Sequence, residues 1–184
     1  MIDPAFTTLP SPRLQIRRFR RADARWLAGY RNDPEIARYQ GWDTPYSTAD
    51  ANAFIDSLFD RHPGEPGCWY QFAVTLAQSG RLIGDCALCP AADGSSLAEL
   101  GFTFARVFHG SGYAREAVGT ILHYARQQLR LRSFLAITDR RNEAARRLLE
   151  TLEFEESADR DIIPPSGKLR EQEVLFVLGK NAGS

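Results

Sequence analysis

Nowhere in this chain do apolar residues run for the roughly 20 positions that a membrane-crossing helix needs. Residues 1–12 contain Asp3 and three prolines, and lack the basic start and apolar stretch of a secretion signal. Net charge is absent too. The 23 basic and 23 acidic side chains cancel, which removes the electrostatic case for nucleic acid or an anionic membrane as partner. Cysteine is scarce. Cys68, Cys86 and Cys89 are an odd number without an export signal, which fits reduced thiols in a cytoplasm. Cys86-x-x-Cys89 has no second pair and no suitably spaced histidines, too few ligands for zinc, so no metal is expected. No serine sits in a nucleophile elbow. No repeat, low-complexity tract or linker divides the chain.

What remains is a chain of 184 residues with 43% hydrophobic side chains, sized for one domain with a sizeable core. Leu14 and Ile16 alternate with polar residues, giving a half-buried strand within residues 13–19. A helix follows with Trp26, Leu27 and Tyr30 on one face, and Asp33-Pro34 ends it. Ser47 opens a second helix, with Asp50 placed for a capping box and Ala51, Phe54, Ile55, Leu58 and Phe59 as its apolar stripe. Tyr70, Phe72, Val74 and Leu76 alternate next. Ser79-Gly80 turns them into residues 81–88, and residues 99–104 complete a meander. The strongest helical stripe is Ala114, Ala117, Val118, Ile121, Leu122, Ala125 and Leu129. Residues 134–137 form an apolar run suited to a strand covered on both faces. Residues 142–152 are helical, and Phe154 and residues 174–178 begin and end a last strand pair. The expected fold is α/β: one domain over residues 13–180, with a mixed, mostly antiparallel sheet of about six to seven strands and helices on both faces. Residues 1–12 are expected as a flexible lead-in and 181–184 as a tail.

His109-Gly110-Ser111-Gly112-Tyr113-Ala114 sits between a strand and the strongest helix. The first amides of a helix lack intrahelical partners, and the macrodipole puts partial positive charge beside them. Gly110 and Gly112 let the backbone approach a ligand closely. Such a turn can cradle a pyrophosphate, although the local pattern equally fits a plain strand-to-helix turn. It is neither the dinucleotide fingerprint, since Arg115 replaces the third glycine, nor a P-loop, since no Gly-Lys-Ser/Thr follows.

The stretch Glu99-Leu-Gly-Phe with residues 108–117 resembles the acetyl-CoA motif of the GNAT acetyltransferase superfamily, in its RimJ/RimL-like branch. In the motif Gln/Arg-x-x-Gly-x-Gly/Ala, His109 takes the first position, Gly112 the glycine and Ala114 the last. Residues 13–17 resemble the first strand of that branch. Residues 139–154 resemble its Asp-x-x-Asn…Leu-Leu-Glu-x-Leu-Gly-Phe segment, and residues 173–176 its closing strand. The resemblance spans about residues 13–180.

The resemblance implies a cytoplasmic N-acetyltransferase that uses acetyl-CoA as cosubstrate, by direct attack of an amine on the thioester. The acceptor is a protein N-terminus, such as that of a ribosomal protein, or a small molecule; the protein is a monomer or homodimer. It implies pyrophosphate binding by the amides of Gly110, Ser111, Gly112, Tyr113 and Ala114, with Arg115 as charge partner. It implies pantetheine contacts along the preceding strand, at Thr103, Phe104, Arg106 and Val107, and from Asn142, whose other reading is a helix N-cap. Glu99 is the candidate base, acting through water, and Asp85 the second choice. No acid is assigned: Leu149 and Ala145 stand where relatives carry tyrosine or serine. Trp42 and Tyr70 flank the segments expected near the acceptor, and pocket lining and core packing are both open to them. The run Arg140, Arg141, Arg146 and Arg147 reads as a solvated helix face or, as a lesser reading, a partner of the CoA 3′-phosphate. The alternative functions are a non-catalytic acyl-CoA-binding module and a nucleotide-binding protein with the same turn. Finally, the family pattern has glycine where this chain has Glu153: a chain that keeps that geometry holds Glu153 at positive φ, and the alternative is an unstrained exit from the helix at negative φ.

Overall fold

The structure, a computed structural model, describes residues 1–159 and 161–179. The elements are β1 (Thr8–Pro10), β2 (Leu14–Arg17), α1 (Ala24–Arg31), α2 (Pro34–Ala37), α3 (Thr48–Asp56), β3 (Tyr70–Leu76), β4 (Leu82–Pro90), β5 (Leu97–Phe104), α4 (Tyr113–Gln127), β6 (Ser133–Asp139), α5 (Glu143–Thr151), β7 (Glu155–Ser157) and β8 (Glu173–Leu178). The strands form one eight-stranded sheet in the order β1-β2-β3-β4-β5-β6-β8-β7. Every neighbouring pair is antiparallel except β5–β6. A parallel pair needs a crossover, and α4 supplies it. The sheet exceeds the expected six to seven strands because β1 and β7 are three residues each, too short to show alternation.

Alternation along the strands sends one set of side chains to each face. Phe72, Val74, Cys86, Leu88, Leu100, Phe134 and Phe176 pack with Val118, Ile121 and Ala125 of α4 and Leu149 of α5. On the other face, α1 and α3 pack Leu27, Tyr30, Ala51 and Ile55 against Ala73 and Leu82. The same alternation splits Cys86 from Cys89: both are buried and free, three positions apart on β4, and so on opposite faces.

Three expectations need correction. Residues 1–12 are packed rather than loose. Phe6 is 4% exposed within a ring of Tyr70, Phe72 and Tyr124. The Met1 ammonium donates to the Leu129 carbonyl, and the Tyr124 hydroxyl donates to Asp3. Trp26 points outward, under the Arg81 guanidinium, because Ala24, Leu27, Ala28 and Tyr30 already fill the buried face of α1. Phe59 is likewise exposed: α3 ends at Asp56, and of the two stripe residues beyond it Leu58 still packs against the core while Phe59 does not. The capping box at its start is complete, with Ser47 and Asp50 bonding each other's backbone amides. The proposed tail, 181–184, lies outside the described residues, as does Lys180, the last residue of the expected domain.

Glu153, after α5, has φ of 66°, the left-handed conformation expected where the family has glycine. A side chain there costs roughly 1–2 kcal/mol, while glycine's looser unfolded chain offsets about half of the relief. Glu153→Gly should therefore raise the melting temperature by about 1–3 °C. A lower melting temperature in a thermal scan would contradict the strained cap.

Candidate active site

The site begins with a gap in the sheet. β5 pairs with β4 from Ala98 to Phe104, but with β6 only at Leu97–Glu99, opposite Ser133–Leu135. Beyond these residues the two strands no longer pair. A cleft of about 810 Å³ opens there, lined by Phe102, Thr103 and Phe104 of β5, residues of the following turn, and Asn142, Ala145 and Leu148 around α5. One backbone edge of β5 thus faces a cavity instead of a strand, and strand edges are ready donors and acceptors for an extended ligand.

The turn closes one end of this cleft. After Phe104 the chain enters a short 3-10 helix, Arg106–Phe108, and then reaches Gly110 and Gly112 at φ of 74° and 76°. Gly112 is the N-cap of α4 and makes no side-chain capping bond. The first helical bond runs from Glu116 N to Gly112 O, 3.1 Å. The amides of Tyr113, Ala114 and Arg115 have no acceptor among the described residues, and the positive end of α4 lies beside them. These are the groups a diphosphate needs, so the residues present fit that part of CoA.

Of the residues expected at the cofactor, Thr103, Phe104, Arg106, His109, Gly110, Gly112, Tyr113, Ala114, Arg115 and Asn142 line the cleft. Ser111 is not among the lining residues; its carbonyl accepts from Arg13 Nη1, and its amide, the group expected at the cofactor, has no backbone acceptor among the described residues. Val107 does not line the cleft either. It was expected on an extended strand, but the 3-10 helix leaves it 78% exposed. Asn142 caps α5, accepting from Ala145 N at 3.2 Å, and lines the cleft as well. His109 Nε2 lies 2.8 Å from the Phe104 carbonyl, which ties the turn back to β5.

Sequence reasoning missed one wall of the cleft. α2 and the residues after it contribute Glu35, Ile36, Arg38, Tyr39 and Gln40. Asp33-Pro34, read as a helix stop, is also a start: Asp33 caps α2 and Pro34 takes its first position. This segment bridges the mouth of the cleft. At one end Asp33 pairs with Arg106 at 3.0 Å. At the other the Tyr39 hydroxyl reaches the Arg141 carbonyl and takes a bond from Arg38. Within the arginine run, Arg141 and Arg147 line the cleft, while Arg140 and Arg146 line a separate cavity of about 300 Å³.

The two carboxylates expected as base, Glu99 and Asp85, lie outside the cleft lining. Glu99 is 5% exposed, on the sheet face opposite Leu100, and accepts from Ser166 N and Ser166 Oγ, both at 2.8 Å. Burial pushes its carboxyl above the ordinary range, against the pull of these two bonds. Asp85 is buried on β4, directly opposite Thr103 in the ladder, and accepts from the Tyr30 hydroxyl. Burial raises its carboxyl too. Leu149 is buried, and Ala145 is all but buried. The aromatic expectations do not reach the cleft. Tyr70 is 2% exposed in the core, and Trp42 stacks on the Arg31 guanidinium at 4.5 Å.

A family model described as an acetyltransferase (GNAT) domain matches residues 13–155. The chain is similar to p20 of Bacillus licheniformis, described as an uncharacterized N-acetyltransferase, with 29% identity over 164 residues, 88% of this chain and 90% of that one. In fold it is similar to a GNAT-family acetyltransferase from Bacillus anthracis, with a TM-score of 0.77, 20% identity, and coverage of 94% and 98% of the two chains. It is also similar to RimJ of Mycobacterium smegmatis, solved in complex with CoA-disulfide, with a TM-score of 0.75, 17% identity, and coverage of 97% and 86%.

Proposed function

This chain belongs to the GNAT acetyltransferase family and is an acetyl-CoA-dependent N-acetyltransferase; from that premise we propose that it acetylates the amine of a protein N-terminus or of a small molecule by direct attack on the thioester. The observation that carries this reading is the conjunction of an uncapped helix start with an open β5 edge in one cleft.

In this reading the free amides of Tyr113, Ala114 and Arg115 hold the diphosphate, and the β5 edge from Phe102 to Phe104 pairs with the pantetheine arm. A backbone N–H in the gap between β5 and β6 receives the developing oxyanion. The acceptor amine arrives from the face of the sheet that carries Glu99. Glu99 takes the amine proton, with the Ser166 hydroxyl as relay, since that hydroxyl already donates to it. The amine nitrogen bonds to the carbonyl carbon, the C–S bond breaks, and the thiolate leaves. Thiols titrate near 8.5, roughly, so water can protonate the thiolate, and the absence of an acid at Leu149 and Ala145 does not stop turnover.

Calorimetric titration with acetyl-CoA should give a dissociation constant in the low micromolar range, about −8 kcal/mol. Release of free thiol across a panel of amines and N-terminal peptides should then identify the acceptor class. No heat at millimolar CoA would refute the cofactor assignment; heat with no thiol release for any amine would refute the transfer.

A further inference from the structure

Glu116 places a carboxylate in the first turn of α4, the same turn whose amides are free. An uncompensated negative charge there would oppose a diphosphate held at the same turn, since charges closer than about 8 Å are little screened by salt. The N-terminal hairpin answers that charge. Ser11 Oγ donates to Glu116 Oε1 at 2.7 Å, the Arg13 amide donates to the same oxygen at 2.8 Å, and Arg13 Nε donates to Oε2 at 2.6 Å. Burial alone would raise the Glu116 carboxyl, but these bonds outweigh it and hold it below its ordinary range. Arg13 continues past the carboxylate. Its Nη1 donates to the Ser111 carbonyl at 2.9 Å, which ties the turn to the same guanidinium. Its guanidinium stacks on the Tyr113 ring at 4.5 Å. Its Nη2 has no acceptor among the described residues and lies 3.4 Å from where a Cβ on Gly112 would stand.

We propose that Arg13, from the far end of the sequence, completes the diphosphate site: it locks the Ser111–Gly112 turn against Glu116 and donates from Nη2 to a phosphate oxygen. The planar fork matters. One group engages a carboxylate, a backbone carbonyl and a phosphate from three separate nitrogens in one plane, whereas the three donors of an ammonium radiate from a single atom. This rests on the reading that the turn holds the diphosphate of acetyl-CoA.

The test compares acetyl-CoA with acetyl-pantetheine, which keeps the thioester and lacks the phosphates. Arg13→Gln should weaken acetyl-CoA binding by roughly tenfold to a hundredfold. With acetyl-pantetheine, kcat/KM should stay within about twofold of wild type. Equal affinity of Arg13→Gln and wild type for acetyl-CoA overturns the proposal, and so does an equal loss with both donors, which marks a purely structural role. If Arg13→Gln does not fold, Arg13→Lys carries the test. It keeps the charge without the fork and should bind acetyl-CoA about fivefold more weakly, again with acetyl-pantetheine unchanged; wild-type affinity overturns the proposal. Failure of the underlying reading looks different: wild type would then bind acetyl-CoA no better than acetyl-pantetheine.

Discussion

Gly112→Val should weaken acetyl-CoA binding about a hundredfold or more while leaving a folded protein. Gly112 sits at φ of 76°, where a side chain, and above all a β-branched one, is disfavoured. The cost to the fold is roughly 1–2 kcal/mol, a modest part of a domain's stability. A Cβ would meet only Arg13 Nη2, 3.4 Å away, which is at the edge of ordinary van der Waals contact. The cost to binding is larger. The substitution rotates the amides of Tyr113 and Ala114 off their common focus and puts a branched group where phosphate must approach. Losing two hydrogen bonds to a charged ligand accounts for about 3 kcal/mol, near a hundredfold. Calorimetry with CoA on a mutant whose melt remains cooperative measures this. Unchanged affinity would remove the diphosphate from this turn.

Glu99→Gln should lower turnover by about 10² to 10⁴ with little change in CoA affinity, because the proposed base meets the acceptor and not the cofactor. The pH profile gives a second reading. A base must be ionised to act, so activity falls as pH drops through its pKa. Burial raises that pKa, and the acidic limb should therefore lie above the ordinary glutamate range. Ser166 donates two bonds that favour the carboxylate. Ser166→Ala removes one, so the limb should move further up. If Glu99→Gln keeps turnover within about threefold of wild type and the limb stays in place, Glu99 is an anchor for the segment bearing Ser166. Asp85, beside Thr103 at the cleft, is then the next residue to test.

The parts of this molecule legible in the sequence are those with a local period. The stripe from Ala117 to Ala125 marks α4 because every third or fourth residue enters the core. The meander from Tyr70 to Phe104 is legible because Ser79-Gly80 and the residues around Gly94 are turn chemistry. The glycine turn is legible because the required conformation admits few other residues. What escaped has no period. α2 is a single turn, and a single turn cannot display amphipathicity. The 3-10 helix at Arg106 reads as extended chain because it continues an apolar strand. The remaining partners are remote in sequence: Arg13 and Glu116 are 103 residues apart, and Glu99 and Ser166 are 67 apart. Only the fold brings them together, so no spacing rule could have paired them.

The short junction between β5 and β6 has one more consequence. Three residues on each strand join a five-stranded half, β1 to β5, to a three-stranded half made of β6, β8 and β7. Few ladder bonds cross this seam, and beyond them α4 and the shared core hold its two sides together. A ligand lying along β5 would act as a weld across it. Its binding energy then counts as folding energy, about 2.7 kcal/mol at a hundredfold excess over the dissociation constant. On this view the concentration of the acyl donor governs both how fast the enzyme works and how long each copy survives.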